Sequence, residues 1–99
     1  PTALEPIMWV EVITPEQFIG EVVGDITARR GKIFRIDQSP SGQCLVAEVP
    51  LSEMFGYATT LRSRTEGRAT HHMRFYRYKP IPDSIMQDLR ETSVIAQAG

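Results

Sequence analysis

Residues 7–31 read IMWVEVITPEQFIGEVVGDITARRG, and the first half of this stretch alternates in character. Its apolar side carries Met8, Val10 and Val12, and its other side carries Trp9 and Glu11. A period of two residues is typical of a half-buried β-strand. The sequence therefore predicts a first strand over residues 7–13.

The second half of the stretch changes to helical spacing. Thr14-Pro15-Glu16-Gln17 predicts a helix start, with Thr14 as N-cap and Gln17 in the position of a capping box. The apolar residues that follow on one helical face are Phe18, Ile19, Val22, Val23 and Ile26. Gly31, directly after Arg29 and Arg30, predicts the end of a helix of about four turns.

The rest of the chain supplies three more strands and a second helix. Residues 32–38 and 43–49 predict a hairpin around the turn Ser39-Pro40-Ser41-Gly42, with a bulge in its first strand left open. Ser52 is expected to cap a helix that closes at Gly67 and has Met54, Tyr57, Ala58 and Leu61 on one face. Residues 70–78 predict a fourth strand with Met73 and Phe75 inward, and a terminal helix is predicted over residues 83–95.

This order of elements predicts an α+β, ferredoxin-like β-α-β-β-α-β fold. Right-handed crossovers place both helices on one face of a four-stranded antiparallel sheet, with the C-terminal helix added at the end. The expected ordered core is about residues 4–82 of a single domain spanning residues 1–99. The open sheet face is expected to carry Trp9, Glu11, Val46, Glu48, His72, Arg74 and Tyr76. We expect a partner or neighbouring domain to cover part of it.

Composition limits the class of protein. The chain has 99 residues, of which 41% are hydrophobic and 23% charged, so one globular domain with a true core is expected. No apolar run approaches a membrane span and no signal peptide opens the chain, which indicates the cytoplasm and no membrane partner. A lone cysteine, Cys44, excludes an internal disulfide. Proline at position 1 is expected for a chain cut from a longer polypeptide.

Charge is unevenly distributed although the net charge is −1. Residues 1–25 contain five acids and no base, whereas residues 62–79 contain six bases and one acid. The basic segment can face phosphate, or it can pair with the acidic segment. The sequence leaves both alternatives open.

No catalytic or metal constellation is evident. A phosphate-binding GxxxxGK[ST] loop is missing, and the acidic loop after the first strand does not suit an acyl-phosphatase anion cradle. His71 and His72 are neighbours in a strand and point to opposite faces, so they are not expected to share a metal ion. Cys44 has no histidine nearby in sequence to activate it.

Two places in the chain bear on RNA binding by this fold. The third strand lacks the basic and aromatic signature of an RNA-recognition motif, so base stacking on the open face is not expected. The predicted helix start at residues 51–54 offers backbone N–H groups, and Arg62, Arg64 and Arg68 follow. This segment is either a phosphate-facing surface or simply a capped helix with a basic end.

Longer motifs resemble a known family. They are LEPIM at 4–8, VEV at 10–12, TPE at 14–16, RRG at 29–31, VPLSEMFGYAT at 49–59, LRS at 61–63 and GRA at 67–69. They closely resemble the C-terminal domain, domain V, of translation elongation factor G, over about residues 4–82. The chain departs from the family pattern at Ala28, at Trp9 (usually a basic residue) and at residues 71–75 (usually more acidic).

The resemblance implies a domain without a catalytic site or cofactor of its own, in a parent factor whose separate GTPase domain binds GTP and magnesium. It implies docking on the large ribosomal subunit, at the stalk base and near the sarcin-ricin loop, with contacts to rRNA, ribosomal protein and sister domains, and none to DNA. The ribosome-binding residues carried over are Arg29, Arg30, Leu51, Ser52, Glu53, Met54 and Arg62. Arg29 and Arg30 are expected to supply charge to phosphate, and the Ser52 helix start to supply backbone donors.

The expected function is therefore ribosome docking in GTP-dependent translocation of tRNA and mRNA. A divergent paralogue specialised for ribosome recycling is left open by the departures. The alternative from another class is a free-standing ferredoxin-like interaction or RNA-binding module that dimerises through its open sheet face.

Overall fold

The computed structural model describes residues 3–88 and confirms the predicted sheet. Its elements are β1 (Leu4–Thr14), α1 (Ile19–Ala28), β2 (Lys32–Ser39), β3 (Gly42–Pro50), α2 (Tyr57–Arg64) and β4 (Thr70–Pro80). The strands are ordered β2-β3-β1-β4, and every neighbouring pair is antiparallel. Residues 83–88 are helical, and residues 89–95 of the predicted terminal helix lie outside the described residues.

Both helices pack on one face of the sheet, as predicted. The buried core consists of Val10, Val12, Leu45, Ala47 and Val49 from the central strands, Val22 and Ile26 from α1, and Met54, Tyr57 and Leu61 from α2 and the segment before it. Each fully buried aliphatic side chain stabilises the fold by about 1.5–3 kcal/mol. The apolar periodicity of β1, α1 and β3 therefore determines the core.

The inward residues of β4 are less buried than predicted. Met73 and Phe75 pair with Val10 and Met8 and so share the helix side of the sheet, yet they are 38% and 50% exposed. The reason is position, because β4 is an edge strand and the core cluster within residues 3–88 contains no β4 residue. Ala58, predicted on the buried face of α2, is also exposed.

Neither predicted side-chain cap forms, so both cap predictions are wrong. Thr14 is the last residue of β1, and its hydroxyl donates to the carbonyl of Pro15 instead of accepting a helix N–H. The chain then makes a 3-10 turn, Glu16–Phe18, before α1. Ser52 lies in a similar turn, Leu51–Glu53, and α2 begins only after Gly56. In both turns a backbone carbonyl accepts from the N–H three residues later, Pro15 from Phe18 and Leu51 from Met54.

At the end of α1, Arg30 rather than Gly31 has the left-handed backbone that ends the helix. Arg30, with φ 60°, takes the left-handed position, and the Gly31 N–H bonds to the Ile26 carbonyl at 2.9 Å in a Schellman arrangement. Gly31 is needed for space, because a Cβ there would lie 2.5 Å from Ile26 Cγ2 and 2.6 Å from its carbonyl oxygen.

The open face of the sheet has a buried carboxylate at its centre. Glu48 is 3% exposed, and its two oxygens accept hydrogen bonds from Arg77 at 2.8 Å and Lys79 at 3.2 Å. Burial by itself raises the pKa of Glu48, but the hydrogen bonds and charges of the two cations outweigh it and hold that pKa below its usual range.

The lowered pKa of Glu48 makes the stability of the fold sensitive to acid. A lowered pKa in the folded state adds stability that is complete above the unfolded value, near pH 4.5, and is lost as the pH falls through the folded value. We expect Glu48→Gln to lower the free energy of unfolding by about 1–2 kcal/mol at neutral pH. The variant should also lose less stability than the parent as the pH falls below 4.5. Urea unfolding at several pH values measures both effects. Parallel pH profiles for the two proteins would contradict this assignment.

Within residues 3–88, no helix is long and apolar enough to cross a bilayer.

Candidate functional site

The candidate site is the loop of residues 51–56, which joins β3 to α2. It leaves the sheet at Pro50, and Gly56, with φ 74°, turns the chain into α2. Met54 is 7% exposed and anchors the loop in the core, whereas Leu51 is 44% exposed and Phe55 is 94% exposed. The loop thus holds one apolar side chain inside and presents two outside.

Arg29 holds this loop from the end of α1. Its Nη1 donates to the Glu53 carbonyl at 2.6 Å and to the Phe55 carbonyl at 3.1 Å. Its Nε donates to Asp25 at 3.0 Å, and its Nη2 to the Thr60 hydroxyl at 3.2 Å. The guanidinium also lies 5.0 Å from the centre of the Tyr57 ring. With a side chain only 14% exposed, Arg29 is a clamp between α1, the loop and α2.

Arg30 ties the same corner to β1. It makes a two-pronged ion pair with Glu5, at 2.9 and 3.1 Å, and reaches Glu53 at 3.5 Å. The hydrogen bond to Glu5 raises the pKa of the Arg30 guanidinium, and the charges of Glu5 and Glu53 add to the effect. This pair stabilises the left-handed backbone of Arg30, which is unfavourable for a residue with a Cβ.

The predicted phosphate-facing arginines therefore divide into two groups. Arg29 and Arg30 contact the loop, and their guanidinium groups donate to acceptors of this chain. The geometry therefore favours a positioning role for both. That they supply charge to phosphate stays a prediction. Arg62 is exposed on α2, and no carboxylate of residues 3–88 pairs with it. Arg64 pairs with Glu21 at 3.1 Å, so part of the basic segment does pair with the acidic segment.

The predicted site residues 51–54 are brought together with Arg29 and Arg30. Ser52 is exposed in a 3-10 turn rather than at a helix start, so the predicted set of helix N–H donors does not form there. Phe55 was not among the predicted site residues. Gly56 could have indicated this residue, because a glycine interrupts the predicted helix there and allows the preceding side chain to project outward.

Tyr57 and the neighbouring histidines are ionisable, but none of them belongs to the loop 51–56. Burial raises the pKa of Tyr57 to about 12, and the charge of Asp25 adds to the rise, so its hydroxyl stays neutral. His71 packs edge-on against the Tyr57 ring at 5.3 Å, on the helix side of the sheet. His72 is the register partner of Glu11 and lies on the other side, so the two histidines point to opposite faces, as predicted. Residues 3–88 contain no group of three or more side chains suited to hold a metal ion.

Comparison with known proteins identifies the family. The family model of the elongation factor G C-terminus matches residues 2–89. The chain belongs to the elongation factor G C-terminal family. A solved structure from Thermus thermophilus is similar to it, with 34% sequence identity and a TM-score of 0.83 over 99% of this chain. The present chain spans 14% of the length of that protein. The chain is therefore an elongation-factor-G-like translation factor domain.

Proposed function

We propose that this elongation factor G domain docks its parent factor on the large ribosomal subunit during translocation of tRNA and mRNA. The observation that carries the proposal is the loop 51–56, which projects Phe55 into solvent while Arg29 fixes the carbonyls of Glu53 and Phe55. In the parent factor, GTP and magnesium belong to a separate GTPase domain. This domain contributes position, not chemistry.

The loop is suited to docking because its shape is set before it binds. Four hydrogen bonds from one guanidinium join α1, the loop and α2, so little conformational entropy remains to be lost on association. A rigid contact can also transmit orientation to the rest of the factor. We place Leu51, Ser52, Glu53 and Phe55 at the sarcin-ricin loop, with the buried Met54 anchoring their loop to the core. The C-terminal end of α1 with Arg30 is placed toward the stalk base.

The exposed side chains of the loop provide the test. Phe55→Ser removes an aromatic anchor and is expected to weaken co-sedimentation of the 99-residue chain with large ribosomal subunits by about tenfold or more. Leu51→Ser is expected to have a smaller effect in the same direction. The matched control is Tyr78→Ser, which removes a 62% exposed aromatic from β4. Equal binding by the Phe55 and Tyr78 variants would contradict the proposal.

A free-standing interaction module stays a second candidate, favoured by the aromatic residues of the open sheet face. Dimerisation through that face predicts sedimentation coefficients that rise with protein concentration and fall back in Tyr76→Ser. Ribosome binding that depends on Phe55, with a concentration-independent sedimentation coefficient, would exclude it.

A further inference from the structure

The open sheet face carries an aromatic cluster of Trp9, Phe34 and Tyr76. The Trp9 ring is stacked against Phe34 with centroids 5.4 Å apart, and Tyr76 meets Trp9 edge-on at 5.2 Å. Phe34 and Tyr76 are 6.2 Å apart, so the three rings form one contiguous group contributed by β2, β1 and β4. Phe34 is 37% and Tyr76 40% exposed, which leaves aromatic surface free for a partner.

Two irregularities of the sheet build this cluster. The register of β2 against β3 shifts between Ile33 and Arg35, and Phe34 is the extra residue. The register of β4 against β1 shifts in the same way, because Arg77 pairs with Ile7 and Phe75 with Met8, which leaves Tyr76 unpaired. Bulges re-aim side chains in this manner and often mark functional surfaces.

Each ring of the cluster carries a cation. Arg74 lies 5.2 Å from the Trp9 ring centre, Arg77 lies 5.3 Å from that of Tyr76, and Lys32 lies 5.9 Å from that of Phe34. Arg77 is already paired with Glu48. In contrast, no carboxylate of the described segment 3–88 lies within ion-pair distance of Arg74 or Lys32. These two cations retain their capacity to bind an anion.

We propose that the aromatic cluster, with Arg74 and Lys32, binds single-stranded RNA. This departs from the expectation based on the third strand, because the three rings come from β1, β2 and β4 and none from β3. Exposed rings stack on bases, and neighbouring cations bind the phosphates that link them. Lysine is depleted at protein interfaces, so Lys32 beside the Phe34 ring favours a polyanion over a protein partner. The surface lies opposite the helices and shares no residue with the loop 51–56.

Trp9 is the only tryptophan of the chain, so its fluorescence reports on this face directly. Titration of the 99-residue chain with an eight-nucleotide oligouridylate at low salt is expected to quench Trp9 in a saturable manner. Tyr76→Leu is expected to weaken binding by about fivefold to 150-fold, since base stacking on one aromatic contributes about 1–3 kcal/mol. Tyr78→Leu, on the same strand but outside the cluster, is the matched control and is expected to bind normally.

Salt dependence separates phosphate contacts from stacking. Arg74→Ala and Lys32→Ala are each expected to reduce the slope of log K against log salt by about 0.7, the value for one phosphate of a single strand. Both side chains are on the surface, and unfolding curves monitored by circular dichroism check that the variants remain folded. Phe55→Ser is expected to leave the quenching unchanged, so this test does not depend on ribosome docking.

Three results would overturn the proposal. The first is no saturable quenching by the oligouridylate at low salt. The second is binding of a polyglutamate peptide in its place, which would indicate an acidic protein partner. The third is a change in Trp9 emission that follows protein concentration alone, which would indicate that a second copy of the chain covers this face.

Discussion

Replacing Arg29 with alanine is expected to lower the free energy of unfolding by about 2–4 kcal/mol. The substitution removes four hydrogen bonds and leaves the carboxylate of Asp25 without its ion-pair partner. It also frees the carbonyls of Glu53 and Phe55, so the loop 51–56 loses its fixed shape. Arg29→Lys is expected to recover little of the lost stability, because an ammonium group cannot reach the same set of acceptors at once.

The matched control for Arg29 is Arg35→Ala. Arg35 also pairs with an aspartate, Asp37, at 2.9 Å, but both side chains are more than half exposed. An exposed pair of this kind contributes about 0.2–1 kcal/mol. Denaturant unfolding of the two variants measures the difference, and equal losses of stability would show that Arg29 is not a clamp.

Ribosome binding by the Arg29→Ala chain separates its two possible roles. A positioning residue predicts weaker binding with an unchanged salt dependence, whereas a phosphate contact predicts a slope reduced by about 0.7–0.9. The measurement is co-sedimentation with large subunits at several salt concentrations, at a temperature where the variant is folded. A reduced slope would restore the prediction that Arg29 supplies charge to phosphate.

Gly31→Ala is expected to destabilise the chain by about 2–4 kcal/mol, although alanine is a small residue. The added Cβ would overlap Ile26, whose side chain is fully buried and whose carbonyl accepts the Gly31 N–H. Relieving the overlap moves the end of α1, and with it Arg29 and Arg30. Loss of ribosome binding is therefore expected to accompany the loss of stability.

Gly24→Ala is the control for this substitution. Gly24 lies within α1, and a Cβ there would meet nothing within 4 Å. Alanine in a helix interior is favoured over glycine by about 0.5–1 kcal/mol, so this variant is expected to be more stable than the parent. Thermal unfolding compares the two, and a Gly31→Ala variant as stable as Gly24→Ala would refute the close packing at Gly31.

Residue periodicity was sufficient to predict the framework of the fold. The alternation in β1 and the helical spacing of Val22 and Ile26 identified side chains that are now fully buried. These patterns work because burial requires the same face along a whole element. The exposure of Phe75 was missed because one strand's pattern does not tell whether a helix covers it.

The ends of the helices and the open face were harder to predict. Thr14 and Ser52 are good cap residues in isolation, but prolines at positions 15 and 50 lead into 3-10 turns that satisfy backbone groups first. The aromatic cluster depends on bulges at Phe34 and Tyr76, and a bulge reverses the alternation on which a face prediction rests.

The residues of the site were predicted, but the contacts that they make were not. Residues 51–54 and the arginine pair were identified through their resemblance to elongation factor G, and the structure brings them together. Spacing alone could not reveal that Arg29 reaches carbonyls 24 and 26 residues away, because that contact is created by the packing of α1 against α2. The same guanidinium binds the carbonyl of the exposed Phe55.

The most direct test of ribosome docking uses the native protein. An antibody against these 99 residues detects it in source-cell lysate fractionated by sedimentation, with and without a non-hydrolysable GTP analogue. We expect a band several-fold larger than 11.2 kDa that moves into the ribosome pellet when the analogue is added. A band that stays out of the ribosome pellet under both conditions would contradict ribosome docking.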